Sequence, residues 1–236
     1  MVDTAPLAAA NANRWANAKA IRDGTAVARR LVASKARYEA VEAKTGVPWF
    51  VIAVIHMRES SQSWVRSLAQ GDPIDRVSTH VPKGRGPFKS WEDAAIDALV
   101  DCAPYLARNK DWSIGGTLTK LEEYNGLGYA ARGKPSPYLW SGTNQYHSGK
   151  YVRDGVYDAD LMDSQPGCAG LLMAMMLLDP SIRFEGETPP VVVHPSTPAP
   201  SSSGISRPPA PSLARPPKGS IGDFIAAVLS KIFRRK

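Results

Sequence analysis

A chain of 236 residues is long enough for one sizeable core plus additional segments. Its net charge of +7 is unevenly placed: from Thr188 onward Arg207, Arg215, Lys218, Lys231, Arg234, Arg235 and Lys236 face one acid, Asp223, so this tail holds +6 and the first 187 residues hold +1. The basic balance therefore says little about the globular part's ligand, no apolar run reaches the length of a membrane span, and Cys102 and Cys168 lack the short spacing of a metal site and read as buried free thiols.

Residues 5–22 are alanine-rich and polar and predict a helix. Residues 25–44 predict one more, with Val27, Leu31, Val32, Tyr38 and Val41 on its apolar positions and Gly46 after it. Pro48 suits the first turn of the next helix, which runs through Trp49–Phe50–Val51–Ile52–Ala53–Val54–Ile55 and ends near Glu59. Residues 64–89 hold Gly71, Pro73, Pro82, Gly84, Gly86 and Pro87, with short extended pieces such as Arg76–Val81, and read as loop with room for a small hairpin. Ser90 is an N-cap, with Glu92 and Asp93 in the first turn of a helix through Val100. Residues 113–124 predict a helix, residues 125–160 read as too polar and broken for a core element, and residues 164–178 predict the most apolar, central helix. The fold class is mainly α.

Residues 188–220 hold half of the chain's 20 prolines, among Ser, Ala and Thr, and read as a disordered, extended linker. Beyond it Ile221, Phe224, Ile225, Val228, Leu229, Ile232 and Phe233 recur at helical spacing, and Arg234, Arg235 and Lys236 close the segment. A basic amphipathic helix on a spacer fits an anionic membrane surface or lipopolysaccharide, with docking onto a protein face as the plainer use. Seven large apolar residues exceed what a nucleic-acid contact needs. The organisation is thus 1–187, 188–220 and 221–236.

The chemistry centres on Glu59. On a helix it stands over Ile55 and Ile52 and extends an apolar face, which desolvates its carboxylate and raises its pKa. Such a group keeps a proton near neutral pH and can donate it to a leaving oxygen; the plainer reading is a solvated helix-end glutamate. The following loop carries Asp72 in Gly71–Asp72–Pro73, then Asp75 and Thr79. Glycoside hydrolysis needs a second group across a cleft from the acid, and Asp72 is the first choice, with Thr79 as a water-positioning reserve. Gly–Asp–Pro is equally good turn chemistry. Tyr124 and Asn125 end a helix at Gly126, and Tyr138, Trp140 and Asn144 lie in an aromatic and amide-rich stretch. Exposed, such side chains would stack on and hydrogen-bond sugars; packed, they would order a loop. His56 reads as a satisfied structural histidine. The scattered histidines give no zinc motif, and no metal or cofactor is implied. Cys102 with His147 is a poor cysteine-peptidase pair, because nothing electropositive surrounds the thiol.

In order along the chain, Arg58–Glu59–Ser60, Gly71–Asp72–Pro73, His80–Val81–Pro82, Gly84–Arg85–Gly86–Pro87–Phe88 with Trp91–Glu92–Asp93–Ala94, Tyr124–Asn125–Gly126 and Ser136–Pro137–Tyr138–Leu139–Trp140 resemble the phage and bacterial lysozyme family proteins over roughly residues 45–180. Glu–Ser at a helix end with a later Tyr–Asn–Gly also resembles lytic transglycosylases and goose-type lysozymes. The resemblance implies a lysozyme-like domain in two helical lobes, Glu59 as general acid, and peptidoglycan as substrate, cut by a monomeric endolysin-type muramidase. A lytic transglycosylase, a chitinase-like glycosidase and a glycan-binding or membrane-active virion protein are the alternatives. The N-terminus lacks the pattern of a secretory signal, so the expectation is synthesis in a host cytoplasm and action in the periplasm or at the cell wall.

Overall fold

The computed structural model describes residues 4–153 and 155–187. The segments expected from sequence to be a linker (188–220) and an amphipathic helix (221–236, with Phe224, Ile225, Val228, Leu229, Ile232, Phe233, Arg234, Arg235 and Lys236) lie outside the described residues.

Eight α-helices and one two-stranded sheet make up the described chain: α1 Ala5–Asn17, α2 Thr25–Ala33, α3 Lys35–Thr45, α4 Trp49–Ser60, α5 Trp91–Val100, α6 Ile114–Asn125, α7 Pro137–Trp140, β1 Lys150–Arg153, β2 Val156–Asp158 and α8 Cys168–Leu178. The architecture is mainly helical, as its apolar spacing predicts. Among the described residues no single helix is long and apolar enough to cross a membrane.

Helix α4 is the centre. Every residue from Trp49 to Met57 is buried, and α2, α3, α6 and α8 all pack on it. A helix that is apolar around its circumference must be enclosed by other elements. The sequence gives the central place to the segment over 164–178, but α8 leaves Leu177 and Leu178 in solvent and is a flanking helix. The single helix predicted over 25–44 is two, because Ser34 leaves helical geometry and separates α2 from α3.

The C-terminus of α4 is closed by a left-handed pair, Ser61 at φ 54° and Gln62 at φ 64°. Their amides return to the carbonyls of Met57 and His56, which satisfies carbonyls that a helix end otherwise leaves free. Gln62 is held in that unusual conformation by its side-chain amide, which donates to Arg30 O, Ser34 Oγ and Tyr38 Oη. Beneath this turn His56 packs among Tyr38, Trp64 and Trp91. Its Nε2–H donates to Ser63 O at 3.0 Å, so Nδ1 accepts from Tyr38 Oη at 3.0 Å. Burial depresses His56 to about 4, so it is a neutral, satisfied core histidine.

No strand forms within 64–89; one isolated bridge joins Arg66 and Pro73. The hairpin lies instead at β1 and β2, inside the stretch that reads as too polar and broken for a core element, and its residues are partly or fully exposed. It is stabilised by ring contacts among Tyr129, Tyr151 and Tyr157, a long-range cluster that strand alternation does not reveal. The same stretch supplies α7, whose Pro137, Tyr138, Leu139 and Trp140 are all buried. Helix α5 starts as predicted, with Ser90 Oγ accepting from Asp93 N.

Candidate active site

Glu59 sits in the last full turn of α4, and its carboxylate meets α7. Tyr138 Oη donates to Glu59 Oε1 at 2.8 Å; Oε2 has no hydrogen-bond partner among the described residues. Burial pushes the Glu59 carboxyl up to about 7, against the opposing pull of the Tyr138 hydrogen bond and the Arg58 charge. The negative end of the α4 dipole also disfavours an anion there. Near neutral pH the group is therefore split between acid and carboxylate. In the acid form Oε1 accepts from Tyr138, and Oε2 is free to carry the proton.

The neighbouring Arg58 braces this pair from behind. Its guanidinium lies 4.8 Å from the Tyr138 ring centroid. Nη2 donates to Asp163 Oδ2 at 3.0 Å, and Nη1 donates to the carbonyls of Gln165 and Pro166. Gln165 returns two hydrogen bonds from Nε2 to the carbonyls of Met57 and Arg58. The segment 163–166 thus clamps the end of α4 and fixes the direction of Glu59. Burial alone would raise the Asp163 carboxyl, but Lys150 and Arg58 outweigh it and hold it below the usual carboxylate range.

Tyr124 lies close enough for Glu59 to raise its phenol further, after burial has done most of the work. Its Oη donates to Leu68 O at 2.9 Å, tying α6 to the loop after α4. Asn125 is exposed at the end of α6. A cavity of ≈ 380 Å³ has Tyr138, Arg58 and Asn125 on its helical side and residues of β1 on the other; Glu59 itself is not among its lining residues. Tyr138 is shared between this cavity and Glu59.

The remaining site candidates make structural contacts of their own. Asp72 is an ionised loop anchor: Oδ2 accepts from Thr79 N at 2.8 Å and His80 N at 2.9 Å, and Oδ1 accepts from His80 Nδ1 at 2.6 Å. The backbone and ring donors of His80 hold its carboxyl down at about 2, so it has no proton to exchange near neutrality. Thr79 contributes its amide to that anchor and is otherwise exposed. Gly71 passes directly under the end of α4; a Cβ there would come within 3.0 Å of Glu59 O, and its φ of +70° is a second reason for glycine. The exposed Asp75 pairs with Arg76.

Trp140 is 1% exposed and belongs to the core. It borders a different cavity of ≈ 400 Å³, shared with Leu7 and Ala10 of α1 and Glu122 of α6, so it offers no platform to a sugar beside Glu59. Asn144 is exposed, but its side chain closes the chain onto the segment after α1: Oδ1 accepts from Lys19 N at 2.7 Å and Nδ2 donates to Asn17 O at 3.2 Å. Both buried cysteines are free thiols. Burial raises Cys102 to about 11, and its Sγ contacts Asp97 rather than His147. Among the described residues no group of three His, Cys, Asp or Glu side chains converges as metal ligands.

Tyr138, which the sequence suggests as a sugar contact, lines the cavity and also donates a hydrogen bond to Glu59. The contacts of Arg58, Lys150 and Asp163 around this end of α4 carry no sequence signal. Arg58 is visible as the neighbour of Glu59, yet nothing local announces that it meets Asp163, 105 positions away. No family model matches the chain, and no curated protein and no solved structure matches it.

Proposed function

We propose that residues 1–187 form a lysozyme-like glycosidase domain that cleaves the β-1,4 bond between N-acetylmuramic acid and N-acetylglucosamine in peptidoglycan, with Glu59 as general acid. The observation that carries this reading is the carboxyl of Glu59, raised to about 7 by burial and pinned through one oxygen by Tyr138. Glu59 Oε2–H protonates the glycosidic oxygen, the C1–O bond breaks, and the leaving sugar departs as an alcohol. In hydrolysis a water adds to C1, and its proton returns to the Glu59 carboxylate or to solvent. No cofactor takes part.

One observation favours a lytic transglycosylase as the second reading. Both oxygens of Asp72 are engaged by Thr79 and His80, so the loop after α4 presents no free carboxylate from that position. With one carboxyl, the muramyl 6-hydroxyl attacks C1, its proton passes to Glu59, and a 1,6-anhydro ring closes. Mass spectrometry of the muropeptides released from purified peptidoglycan tests both. Reducing ends support hydrolysis, anhydro ends support transglycosylation, and intact glycan with folded protein overturns the proposal. By its sequence pattern, the segment over 221–236 suits an anionic membrane or lipopolysaccharide surface.

A further inference from the structure

The cavity bordered by Tyr138, the hydrogen-bond partner of Glu59, is lined by more positive than negative side chains among the described residues. Among the described residues, three cations, Arg58, Lys150 and Arg153, line it against one carboxylate, Asp163. Asp163 is fully engaged: Arg58 takes Oδ2 at 3.0 Å and Lys150 takes Oδ1 at 2.9 Å. Arg153 is exposed at the end of β1 and has no ion-pair partner among the described residues. Arg58 is 93% buried by its 7% side-chain exposure, yet its Nε has no acceptor. A buried guanidinium with a donor to spare is uncommon and calls for an explanation. Beyond the wall, Arg132 lies 5.4 Å from the ring centroid of Tyr151, one of the cavity's own side chains, and adds positive potential. Of the remaining walls, Tyr151 is partly exposed and gives a ring face on which a pyranose could pack, with the buried Tyr129, Tyr138 and Pro137 behind it.

We propose that this cavity receives a carboxylate carried on the side arm of the muramic acid, with Arg153 and Lys150 as the reading side chains, so that the site prefers an acidic wall glycan to a neutral one. The inference rests on the reading of Glu59 as a glycosidase acid, since Tyr138 joins the two sites. An exposed guanidinium at the cavity rim can form a charge-assisted hydrogen bond with a carboxylate, which neutral N-acetylglucosamine cannot supply. The carboxylate has two possible sources of one chemistry: the lactyl group itself, free when the peptide is absent, or the acidic residues of the stem peptide.

The test is calorimetric titration of the full chain in a Glu59→Gln background, so that the ligand is not consumed. Four ligands are compared: a muramyl tetrasaccharide with free lactyl groups, the same glycan bearing its stem peptides, that peptide form with its carboxylates amidated, and a chitin tetrasaccharide. The carboxylate-bearing forms should bind about tenfold tighter than the amidated and chitin forms. Arg153→Gln should bring that ratio to within about twofold, since an exposed glutamine keeps the fold but not the charge. Arg215→Gln, an equal charge change in the tail, should leave the ratio intact and so exclude non-specific attraction. Preference for the first ligand assigns the lactyl group, and preference confined to the second assigns the stem peptide. Equal affinity for all four, or a preference that Arg153→Gln and Lys150→Gln both leave unchanged, overturns the cavity's role. If wild-type protein still cleaves wall glycan, that result leaves the reaction at Glu59 standing. A carboxylate preference in a protein that never cleaves glycan overturns the reaction and leaves the cavity's role in place.

Discussion

Tyr138 Oη donates to Glu59 Oε1 at 2.8 Å, and both groups are withdrawn from water. The tyrosine therefore works against the desolvation that raises the acid. Removing it should move the carboxyl further up. In Tyr138→Phe the alkaline limb of the pH–rate profile should shift to higher pH, and turnover at pH 7 should fall several-fold as the carboxyl loses its fixed orientation. A tyrosine that only packs would leave the limb where it is. The measurement is kcat/KM against pH for both proteins.

The raised carboxyl of Glu59 also has a stability consequence. Its folded-state pKa of about 7 lies above the ordinary 4.5, so the folded protein binds the proton more tightly than the unfolded chain. That contribution is complete below about pH 4.5 and is lost as pH rises through about 7. The loss amounts to roughly 3 kcal/mol for a shift of this size. Glu59→Gln cannot ionise. It should match wild type near pH 4, exceed it in thermal stability at pH 8, and abolish nearly all glycan cleavage. Melting curves at the two pH values check the sign, and a variant that is less stable at pH 8 would falsify the burial of the charge.

How much of this site the sequence discloses depends on the range of the interaction. Glu59 is legible because four- and seven-residue spacing puts it over Ile55 and Ile52, all on one helix. The helix starts at Trp91 and Ile114 are legible for the same reason, since Ser90 and Ser113 cap within three residues. The Tyr138–Glu59 and Arg58–Asp163 pairs span 79 and 105 positions and leave no periodic trace. Trp140 looks like a sugar platform because polar and aromatic residues surround it in sequence. Its burial is decided by α6 and α8 packing on α7, which composition does not show.

Trp140 and Asn144 should accordingly behave as structural side chains. Trp140→Ala removes a large side chain that is 1% exposed and should cost about 3–5 kcal/mol of stability. Trp140→Phe, which keeps most of the packing, should retain kcat and KM on wall glycan near wild type. Asn144→Ala should loosen the attachment of Lys19 without altering KM. Chemical denaturation paired with steady-state assays separates this outcome from sugar stacking, which would raise KM in both Trp140 variants.

Asp72 should divide sharply between two substitutions. Asparagine keeps one carbonyl oxygen for the amides of Thr79 and His80, so Asp72→Asn should retain most of the activity. Alanine leaves those two backbone donors without an acceptor, so Asp72→Ala should lower the melting temperature and weaken cleavage through disorder of the loop beneath Glu59. Because the folded carboxyl is held near 2, its stabilisation is present above about pH 3.8 and disappears as pH falls through about 2. Loss of turnover by orders of magnitude in a well-folded Asp72→Asn would instead return Asp72 to the chemistry as a base.

The tail makes a separate prediction, because charge and candidate chemistry lie in different parts of the sequence. Residues 188–236 carry +6, and the residues around Glu59 all fall before position 188. Removing 188–236 should leave cleavage of isolated peptidoglycan intact and abolish binding to anionic lipid vesicles. Each exposed cation near such a surface contributes roughly 1 kcal/mol, so binding by the full chain should weaken as salt is added. Phe224→Glu should reduce vesicle binding more than Arg234→Gln does, because it places a charge on the face that enters the lipid. If the same apolar stripe instead docks on the protein, truncation lowers the melting temperature and the full chain shows no lipid affinity. Vesicle sedimentation and a calorimetric scan on both proteins distinguish the two, and a truncation that melts several degrees lower with no lipid signal removes the membrane role.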